Sequence, residues 1–575
     1  MWRQFLIGMQ YPLNVELHQH KDHFLLTLAC KSHAFQRSQL VEFAEEFTKR
    51  FIEICHTPET HLRVIRNLPQ HDEDAVTASS KHRSSTNGSL HHPKFLDLVD
   101  VLSTCTNVPV SAIRADSSLI SMGIDSIISI QLASKLRNAG LNIKASEIIQ
   151  CEMVSDLLDK QEGLSAPHIN GHSHLNGRAF GKDNYEYQSY ADKLQADVST
   201  VEAVRPASAG MKWLIAMWQL SERSRFQHTF AYKLPLDVEV DRLRLAFFAI
   251  AQRHPILRST FVSLDGKEVQ IVTLKEMENI WSTSHISGEE SNDDLVARTM
   301  KDMVSNTLPT NRPPARAVLL YCNDVPHLIL HLHHFQYDAW SLIQLMDDLT
   351  GQYLNGNGRP RTLANSDALG DFLSHCQENA RLEQRTYWKK HLGQKFVPAL
   401  LKGSRFIPAQ DSRKVVIEQK VVSDVASLLT VARQRDVSLS SVIIACWART
   451  QMEFSMGSSS TFGVWHSGRS ADLAGVDKIA VPTMNVLPFH VNFDLDASLL
   501  DSCRYVHSEL RLQKGAVEQS YIEDIAEWSN IKDQALFNVC LNILDSRMDH
   551  EGGDGDGFVP MAVCTLHPSS RYIFR

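Results

Sequence analysis

Two polar stretches divide this chain and limit what it can fold into. Residues 67–93 contain almost no large apolar side chains, and in residues 163–200 three histidines lie among Asn, Gly and Ser. A segment with so little apolar surface cannot offset the conformational entropy that ordering would cost. We therefore expect both stretches to be solvated linkers between three folded units, residues 1–66, 94–162 and 201–575.

The length and composition indicate a globular protein of several domains. The chain has 575 residues, of which 43% are hydrophobic and 22% are charged, and this length corresponds to roughly three or four domains. Its net charge of −8 gives no reason to expect binding to nucleic acid or to a membrane surface. No apolar run approaches the ~18 residues of a membrane span, and the N-terminal run is too short for a signal peptide.

The ten cysteines are scattered, and none forms a C-x-x-C pair. Neither a zinc site nor a disulfide framework is therefore expected, and a reduced, cytoplasmic setting is predicted. Alternating histidines on a strand can chelate a metal, which makes His331, His333 and His334 candidates. No nearby Cys or Glu completes a ligand set, so no metal is expected.

The first unit is predicted to be the end of a larger domain. Residues 12–17 and 24–30 predict two strands, and residues 43–55 predict an amphipathic helix. The apolar face of that helix is expected to contain Phe43, Phe47, Phe51 and Ile52. Two strands and one helix bury too little surface to be stable alone.

The second unit is expected to be a small helical bundle. One helix starts near residue 95, and another begins at Ser126 and stops at Gly140. Its candidate core residues are Ile127, Ile130, Leu132 and Leu136. Short helices at 145–149 and 153–158 would close the bundle.

The third unit alternates helices and strands, as expected for an α/β or α+β domain with two lobes. The predicted helices are 241–251, 342–353, 425–432 and 440–452, and the predicted strands are 317–321, 328–330 and 415–417. Ser423 or Asp424 would cap the helix that begins at 425.

Residues 333–341, HHFQYDAWS, carry the most distinctive polar pattern. They follow a strand in which leucines alternate with other residues, so the pattern predicts a loop at a strand end. A neutral imidazole there is well placed to accept a proton near pH 7. Asp338, four residues after the second histidine, is expected to hold the loop through an ion pair.

A second motif surrounds Ser126. On its own, Asp125-Ser126 at a helix start is explained by N-cap chemistry. Residues 119–127, however, resemble the attachment signature of acyl and peptidyl carrier domains. The resemblance implies that Ser126, with Asp125 beside it, carries covalent 4′-phosphopantetheine added by a phosphopantetheinyl transferase. A helix N-terminus suits the phosphodiester because its free N–H groups favour an anion.

The loop at 333–341 resembles the HHxxxDG motif of condensation domains of nonribosomal peptide synthetases, which have the chloramphenicol-acetyltransferase-like fold. Further stretches resemble other motifs of that family in the same order: 205–213, 253–261, 463–469 and 482–488. The resemblance implies that His334 is the catalytic base, with His333 supporting it. Asp338 would be structural and paired with Arg469. Asn485 and Ser341 are further candidates for the site.

The chain departs from the family pattern in two ways. Ala339 stands where the family usually has glycine, and glycine adopts backbone angles that alanine resists. Residues 201–575 also resemble a condensation domain that lacks its final section. Residues 1–66 resemble such a section and are predicted to be the tail of an upstream condensation domain.

The expected function is that of a synthetase module. The order of units resembles the ends of fungal ferrichrome-type siderophore synthetases, whose loop is often HHxxYDxWS. A carrier-bound thioester would be used to form an amide or ester bond, with loaded carrier domains and an adenylation domain as partners in cis or in trans. The alternatives are a carrier beside a non-catalytic condensation-like domain, and a truncated product whose last domain does not fold.

Overall fold

The computed structural model describes most of the chain. The described residues are 13–20, 23–31, 34–56, 93–106, 108–124, 126–141, 143–163, 184–221, 223, 226–264, 268–276, 280–306, 309, 311–355, 367–377, 380–393, 398–399, 401, 414–422, 425–471, 473, 475–494, 497–531, 535–545 and 559–565. Residues 67–92 of the predicted linker 67–93, residues 164–183 of the predicted linker 163–200, and Asp125, Ser423 and Asp424 lie outside these ranges. The linker prediction is wrong for residues 184–194, which form a helix because Tyr190, Ala191 and Leu194 share an apolar face that packs in a buried cluster.

The described residues form strands β1–β14 and α-helices α1–α16. The strands span, in order, Leu13–Gln19, Phe24–Lys31, Val201–Pro206, Gln227–Lys233, Ser259–Val262, Gln270–Leu274, Trp281–Ile286, Arg316–Cys322, Val325–His333, Lys414–Val422, Ser459–His466, Asn485–Asn492, Val539–Asp545 and Val559–Thr565. The helices span Arg37–His56, Pro93–Thr106, Ser126–Asn138, Ala145–Gln150, Val154–Gly163, Asn184–Leu194, Ala209–Leu220, Val240–Arg253, Asn292–Ser305, Ala339–Asn355, Ala368–Gln377, Ala380–Leu392, Val425–Gln434, Leu439–Ser455, Leu499–Leu512 and Ile522–Trp528.

The first lobe of the α/β part is built around a five-stranded sheet with the order β14-β4-β9-β8-β7. Strand β9 lies in the interior of this sheet, between β4 and β8. All of its residues after Val325 are buried, which explains why its leucines do not alternate with exposed positions. A separate three-stranded sheet, β3-β6-β5, lies in the same half of the chain.

The second lobe contains a six-stranded sheet with the order β10-β2-β1-β13-β11-β12. Helix α14, which is buried along most of its length, packs beside strand β11 and helices α1 and α15. Strands β1 and β2 therefore belong to the same sheet as strands that follow them by about 400 to 500 residues in the sequence.

Both strands and the helix predicted for the first unit are present, but one assignment within the helix is wrong. Ile52 is 41% exposed, whereas Ile54 is 3% exposed and packs in the core with Phe43, Phe47 and Phe51. At about 100° per residue, position 54 lies about 20° from Phe43 and continues its stripe, whereas position 52 lies about 180° from Phe43, on the opposite side of the helix.

Helices α2–α5 form the predicted bundle, with Ile130, Leu132 and Leu136 in its core. Gly140 has a φ of +79° just after α3 ends at Asn138, which is the left-handed conformation that terminates a helix. The side chain of Ile127 is outside the described part of the structure. The helices predicted within the third unit are observed as α8, α10, α13 and α14.

Within the described ranges, no helix combines the length and apolar character needed to cross a bilayer.

Candidate active site

The site is built where strand β9 ends. Its last residue, His333, is followed by one turn of 3₁₀-helix, His334–Gln336, and helix α10 begins at Ala339. The backbone N–H of His334 donates to the carbonyl of Phe226, 2.7 Å away, just before strand β4. This bond extends the β4–β9 ladder by one residue, and it anchors the first residue of the turn to the sheet.

Hydrogen bonding determines which nitrogen of His334 carries the proton. Nδ1 lies 2.8 Å from the backbone carbonyl of Tyr337. Because a carbonyl only accepts, Nδ1 is the donor, and in the neutral ring Nε2 keeps its lone pair. The ring stacks on the Tyr337 ring, with centroids 4.7 Å apart and an interplanar angle of 6°, and the ring of His228 meets it edge-on at 5.2 Å.

The surroundings of His334 favour its neutral form. Burial lowers the pKa of His334, while the hydrogen bond to the Tyr337 carbonyl and the charge of Asp338 partly oppose that shift. A lowered pKa keeps the ring unprotonated at pH 7, which is the state a proton acceptor needs. The side chain remains half-buried rather than fully enclosed.

His333 lies in a different environment from its neighbour. It is 1% exposed, and its ring packs edge-on against Trp218 with centroids 5.1 Å apart. Its Nδ1 accepts a hydrogen bond from the N–H of Phe335, 3.1 Å away, so His333 caps the turn. Burial, with the neighbouring histidines, holds the pKa of His333 well below its usual value. In this structure its contacts support the turn.

The structure brings Asp338 and Arg469 together, as the family resemblance implied. Arg469 Nη2 lies 3.0 Å from Oδ1 and 3.1 Å from Oδ2 of Asp338. The same carboxylate accepts hydrogen bonds from the backbone N–H groups of Ser341 and Thr483, at 2.7 and 2.9 Å. Arg469 is fully buried and also donates to the carbonyls of Val476, Ile479 and Val481. These bonds join the loop after β9 to the segment before β12.

Ala339 does not require the backbone of a glycine. It is the first residue of α10 and is exposed, and it is not among the residues with positive φ in the described part of the chain. The departure from the family glycine therefore causes no backbone strain at this position.

The remaining sequence candidates have structural contacts. Asn485 is fully buried, and its Nδ2 donates to the carbonyls of Glu518 and Ser520, each 3.0 Å away. Its Oδ1 accepts from the N–H of Val486. Ser341 is also buried, and its Oγ accepts from the N–H of Asp338 at 2.7 Å. No group of three or more His, Cys, Asp or Glu side chains suited to a metal occurs in the described ranges.

The sequence assigns no individual role to Tyr337, Trp340 or His228, which the structure places around the turn that carries His334. The hydroxyl of Tyr337 is hydrogen-bonded to Nδ1 of His228 on strand β4. Trp340 Nε1 donates to the carbonyl of Asp477, 2.7 Å away. Tyr337 and Trp340 lie inside the recognised motif. Nothing local distinguishes His228, because its relevance depends on the pairing of β4 with β9.

Ser126 begins helix α3, and the turn before it contains Gly123 with a φ of +88°. Because a 13-residue helix starts at the serine, its dipole places partial positive charge there, and the local backbone suits a phosphodiester attached to that residue. The carrier bundle contacts the second lobe, and Arg511 Nη1 pairs with Glu152 Oε1 at 3.2 Å. The Arg433 side chain lies against Gly123. The side chain of Ser126 is outside the described part of the structure.

Comparison with known families gives two matches. The condensation domain family matches residues 209–551, more than half of the chain, and the phosphopantetheine attachment site family matches residues 97–160. The carrier unit is therefore of the type that holds covalent 4′-phosphopantetheine. The predicted fold class of a helical carrier bundle with a condensation-type α/β domain is confirmed.

Similar proteins are fungal synthetases. Coprinoferrin synthetase of Coprinopsis cinerea is 30% identical over 554 residues, covering 94% of this chain and 22% of that protein. Nonribosomal peptide synthetase NPS2 of Ceriporiopsis subvermispora is 32% identical over 579 residues, covering 98% and 23%. The first condensation domain of the CDA synthetase aligns with 65% of this chain and 88% of that chain, with 13% identity and a TM-score of 0.46. The chain spans less than a quarter of the length of these two synthetases.

Proposed function

Since this chain belongs to the condensation domain family, we propose that it joins a carrier-bound acyl group to an acceptor amine or hydroxyl, with His334 as the proton acceptor. The observation that carries this proposal is the fixed tautomer of His334. Its Nδ1–H is held by the Tyr337 carbonyl, and the lone pair of Nε2 remains for the acceptor nucleophile.

In this proposal each residue of the site has its own role in the reaction. The thiol of 4′-phosphopantetheine on Ser126, when bound, would carry the acyl group as a thioester, and the carbonyl of that acyl group would be the centre attacked. Nε2 of His334 orients the acceptor and takes the proton that the nucleophile loses as its new bond to the carbonyl carbon forms. The carbon–sulfur bond of the thioester would then break, and the thiol would leave with the proton returned by His334. Tyr337 holds the imidazole plane, and the Asp338–Arg469 pair holds the turn that carries it. Asp125, next to Ser126, completes the recognition motif for the phosphopantetheinyl transferase.

The wider role follows from the relatives. One of them is the ferrichrome siderophore peptide synthetase of Mycosarcoma maydis, 27% identical over 460 residues, covering 78% of this chain and 11% of that protein. We extend that role to this chain as a siderophore synthetase module in the cytoplasm. Its partners would be loaded carrier domains and an adenylation domain, in cis or in trans.

The carrier step is tested by intact mass. Incubation with coenzyme A and a phosphopantetheinyl transferase is expected to add one phosphopantetheine to the chain, and Ser126→Ala is expected to abolish the gain. Ser121→Ala, in the exposed turn before the helix, is the matched control and should gain the same mass. A modified Ser126→Ala chain would exclude Ser126 as the attachment site.

The condensation step is tested with a loaded donor and an amine acceptor. His334→Ala is expected to slow product formation by ~10²–10⁴-fold, the usual contribution of a positioned acid–base group. His285→Ala, which alters an exposed histidine at the sheet edge, should leave the rate unchanged. Equal rates for wild type and His334→Ala would remove the assignment. An inactive wild type with an intact fold would favour the alternative of a non-catalytic binding domain.

A further inference from the structure

The second lobe is completed by residues that precede the carrier bundle. Residues 13–56, the closing segment, contribute β1, β2 and α1 to it. We infer that the closing segment is an integral part of this lobe, so that the carrier is inserted between two parts of one condensation domain. The segment that the sequence assigns to an upstream domain thus closes the domain that follows it in the same chain.

Backbone pairing gives the first evidence. Strand β1 runs parallel to β13 through seven consecutive pairs, from Leu13↔Val539 to Gln19↔Asp545. On its other side β13 pairs with β11 at two positions only, Gly463↔Cys540 and Val464↔Leu541. The closing segment therefore satisfies most of the hydrogen-bonding groups of β13 toward its neighbours.

Strand β10 depends on the closing segment still more. It lies at the end of the sheet order, and β2 is its neighbour. The register runs antiparallel from Lys414↔Lys31 to Val422↔Phe24. Without β2, the nine residues of β10 would lose their partner in this sheet, because an edge strand has only one neighbour.

Side chains extend the contact from the sheet to the helices. Phe43 meets Phe454 edge-on with ring centroids 4.3 Å apart, and Phe47 lies 6.4 Å from Trp447. Phe47 and Trp447 are at most 1% exposed. Aromatic rings that are fully buried against each other form a packed core rather than a surface contact.

Polar contacts join the two parts at specific atoms. Arg37 Nη1 donates to the carbonyl of Val416 at 3.2 Å, and Gln419 Nε2 donates to Thr48 Oγ1 at 2.9 Å. These bonds link helix α1 directly to β10. They fix the position of the closing segment along β10.

The inference has a consequence for the carrier. The carrier bundle follows the closing segment, which is anchored in the second lobe, and it precedes α6 and β3, which pack in the first half of the α/β domain. Both ends of the carrier are thus attached to one condensation domain, and attachment at two points raises its effective concentration there. The use of this carrier as the donor for that domain rests on the proposed function, whereas the architecture does not.

A cysteine pair tests the architecture in the full chain. Val415 lies opposite the native Cys30, and Val416 lies opposite Ala29. Val415→Cys is expected to form a 30–415 disulfide under mild oxidation, found by peptide mapping in a monomeric band. Val416→Cys, one residue along and on the other face of the strand, should not. A 30–415 link found only between two chains would overturn closure within one chain, as would its absence.

Hydrogen exchange on the unaltered chain gives a second measurement. Amides of β1, β2 and β10 are expected to exchange as slowly as those of β13. Rapid exchange in β1 and β2, with α14 still protected, would overturn the inference. Phe47→Asp should release protection in β10 and β13 but not in β9, whereas Ile52→Asp, at an exposed position of the same helix, should release neither. These readouts need no loaded carrier, so their failure is distinct from failure of the proposed reaction.

Discussion

At the scale of single residues, two adjacent histidines have opposite environments. His333 is the last residue of β9, and its side chain points into the aromatic core around Trp218. His334 begins the turn, and its ring rests on Tyr337 while remaining partly accessible. Successive residues at a strand end point in opposite directions, so one backbone step separates a core residue from the candidate base.

The pH dependence of the rate should report the lowered pKa of His334. A proton acceptor is active when it is unprotonated, and burial places its pKa below the ordinary value of 6.5. The titration of this base is therefore expected to lower the rate of condensation as the pH falls, with a midpoint below 6.5. Single-turnover rates from pH 4.5 to 8 would measure it. A midpoint above 6.5 would contradict this assignment of the base.

The Asp338–Arg469 pair should be needed for stability. Asp338→Ala leaves a fully buried guanidinium without its counterion, and breaking a buried pair in this way costs ~3–5 kcal/mol. Ser341→Ala removes an uncharged acceptor from the N–H of Asp338 and should cost only ~1–2 kcal/mol. Urea unfolding of both variants measures the difference. Equal losses would show that the charge of the pair contributes little.

At the scale of elements, the site depends on two chain segments that approach each other after β11 and before β12. Gly468 precedes Arg469 and has a φ of +70°. A Cβ added there would lie 1.8 Å from the carbonyl oxygen of Thr483, the residue whose N–H binds Asp338. The close approach of the two backbones therefore holds Arg469 in place against the turn that follows β9.

Comparing alanine substitutions at Gly468 and Gly393 should separate the cost of left-handed backbone strain from the cost of a steric clash. Gly393 also has a positive φ, +68°, but a Cβ added there would meet nothing within 4 Å. Gly393→Ala is expected to cost only the ~1–2 kcal/mol of a left-handed alanine. Gly468→Ala adds an overpacking cost of ~1–3 kcal/mol and should also slow condensation by displacing Arg469. Thermal unfolding and single-turnover rates measure both effects. Matching behaviour of the two variants would argue against the close approach.

At the scale of the whole molecule, buried neutral histidines link stability to pH. Burial, with the charge of Arg316, lowers the pKa of His331 to about 4, and burial, with the charge of His391, lowers that of His490 to about 4. Their unfolded-state pKa is near 6.5, so the unfolded chain binds protons that the folded chain excludes. Stability is fully present above pH 6.5 and is lost as the pH falls toward 4.

This acid sensitivity can be measured on the first lobe. His331 is 2% exposed, and one such histidine changes the free energy of unfolding by up to ~1.4 kcal/mol per pH unit between pH 6.5 and 4. Urea unfolding at pH 7, 6 and 5 should show falling stability, and His331→Gln should show a smaller slope. A slope unchanged by the substitution would mean that His331 is already protonated in the folded chain.

The sequence by itself determined the local features of this protein. The starts of the carrier helices, including that of α3 at Ser126, the strand before His333 and the existence of helix α1 follow from periodicity, glycine stops and motif spacing. These depend on neighbours within a few residues. The pairing of Asp338 with Arg469 required the family resemblance as well, because 131 positions separate the two residues.

Only the tertiary structure decided how these pieces are joined. The tautomer of His334 follows from one carbonyl in a folded turn, and the acceptability of Ala339 follows from its place at a helix start. The sheet to which β1 and β2 belong is decided by the pairing of β1 with β13, in which Leu13 lies opposite Val539. An alternating pattern predicts that a strand forms and which of its faces is apolar, but it does not predict which strand it pairs with. That choice depends on which edges in the folded chain remain unpaired.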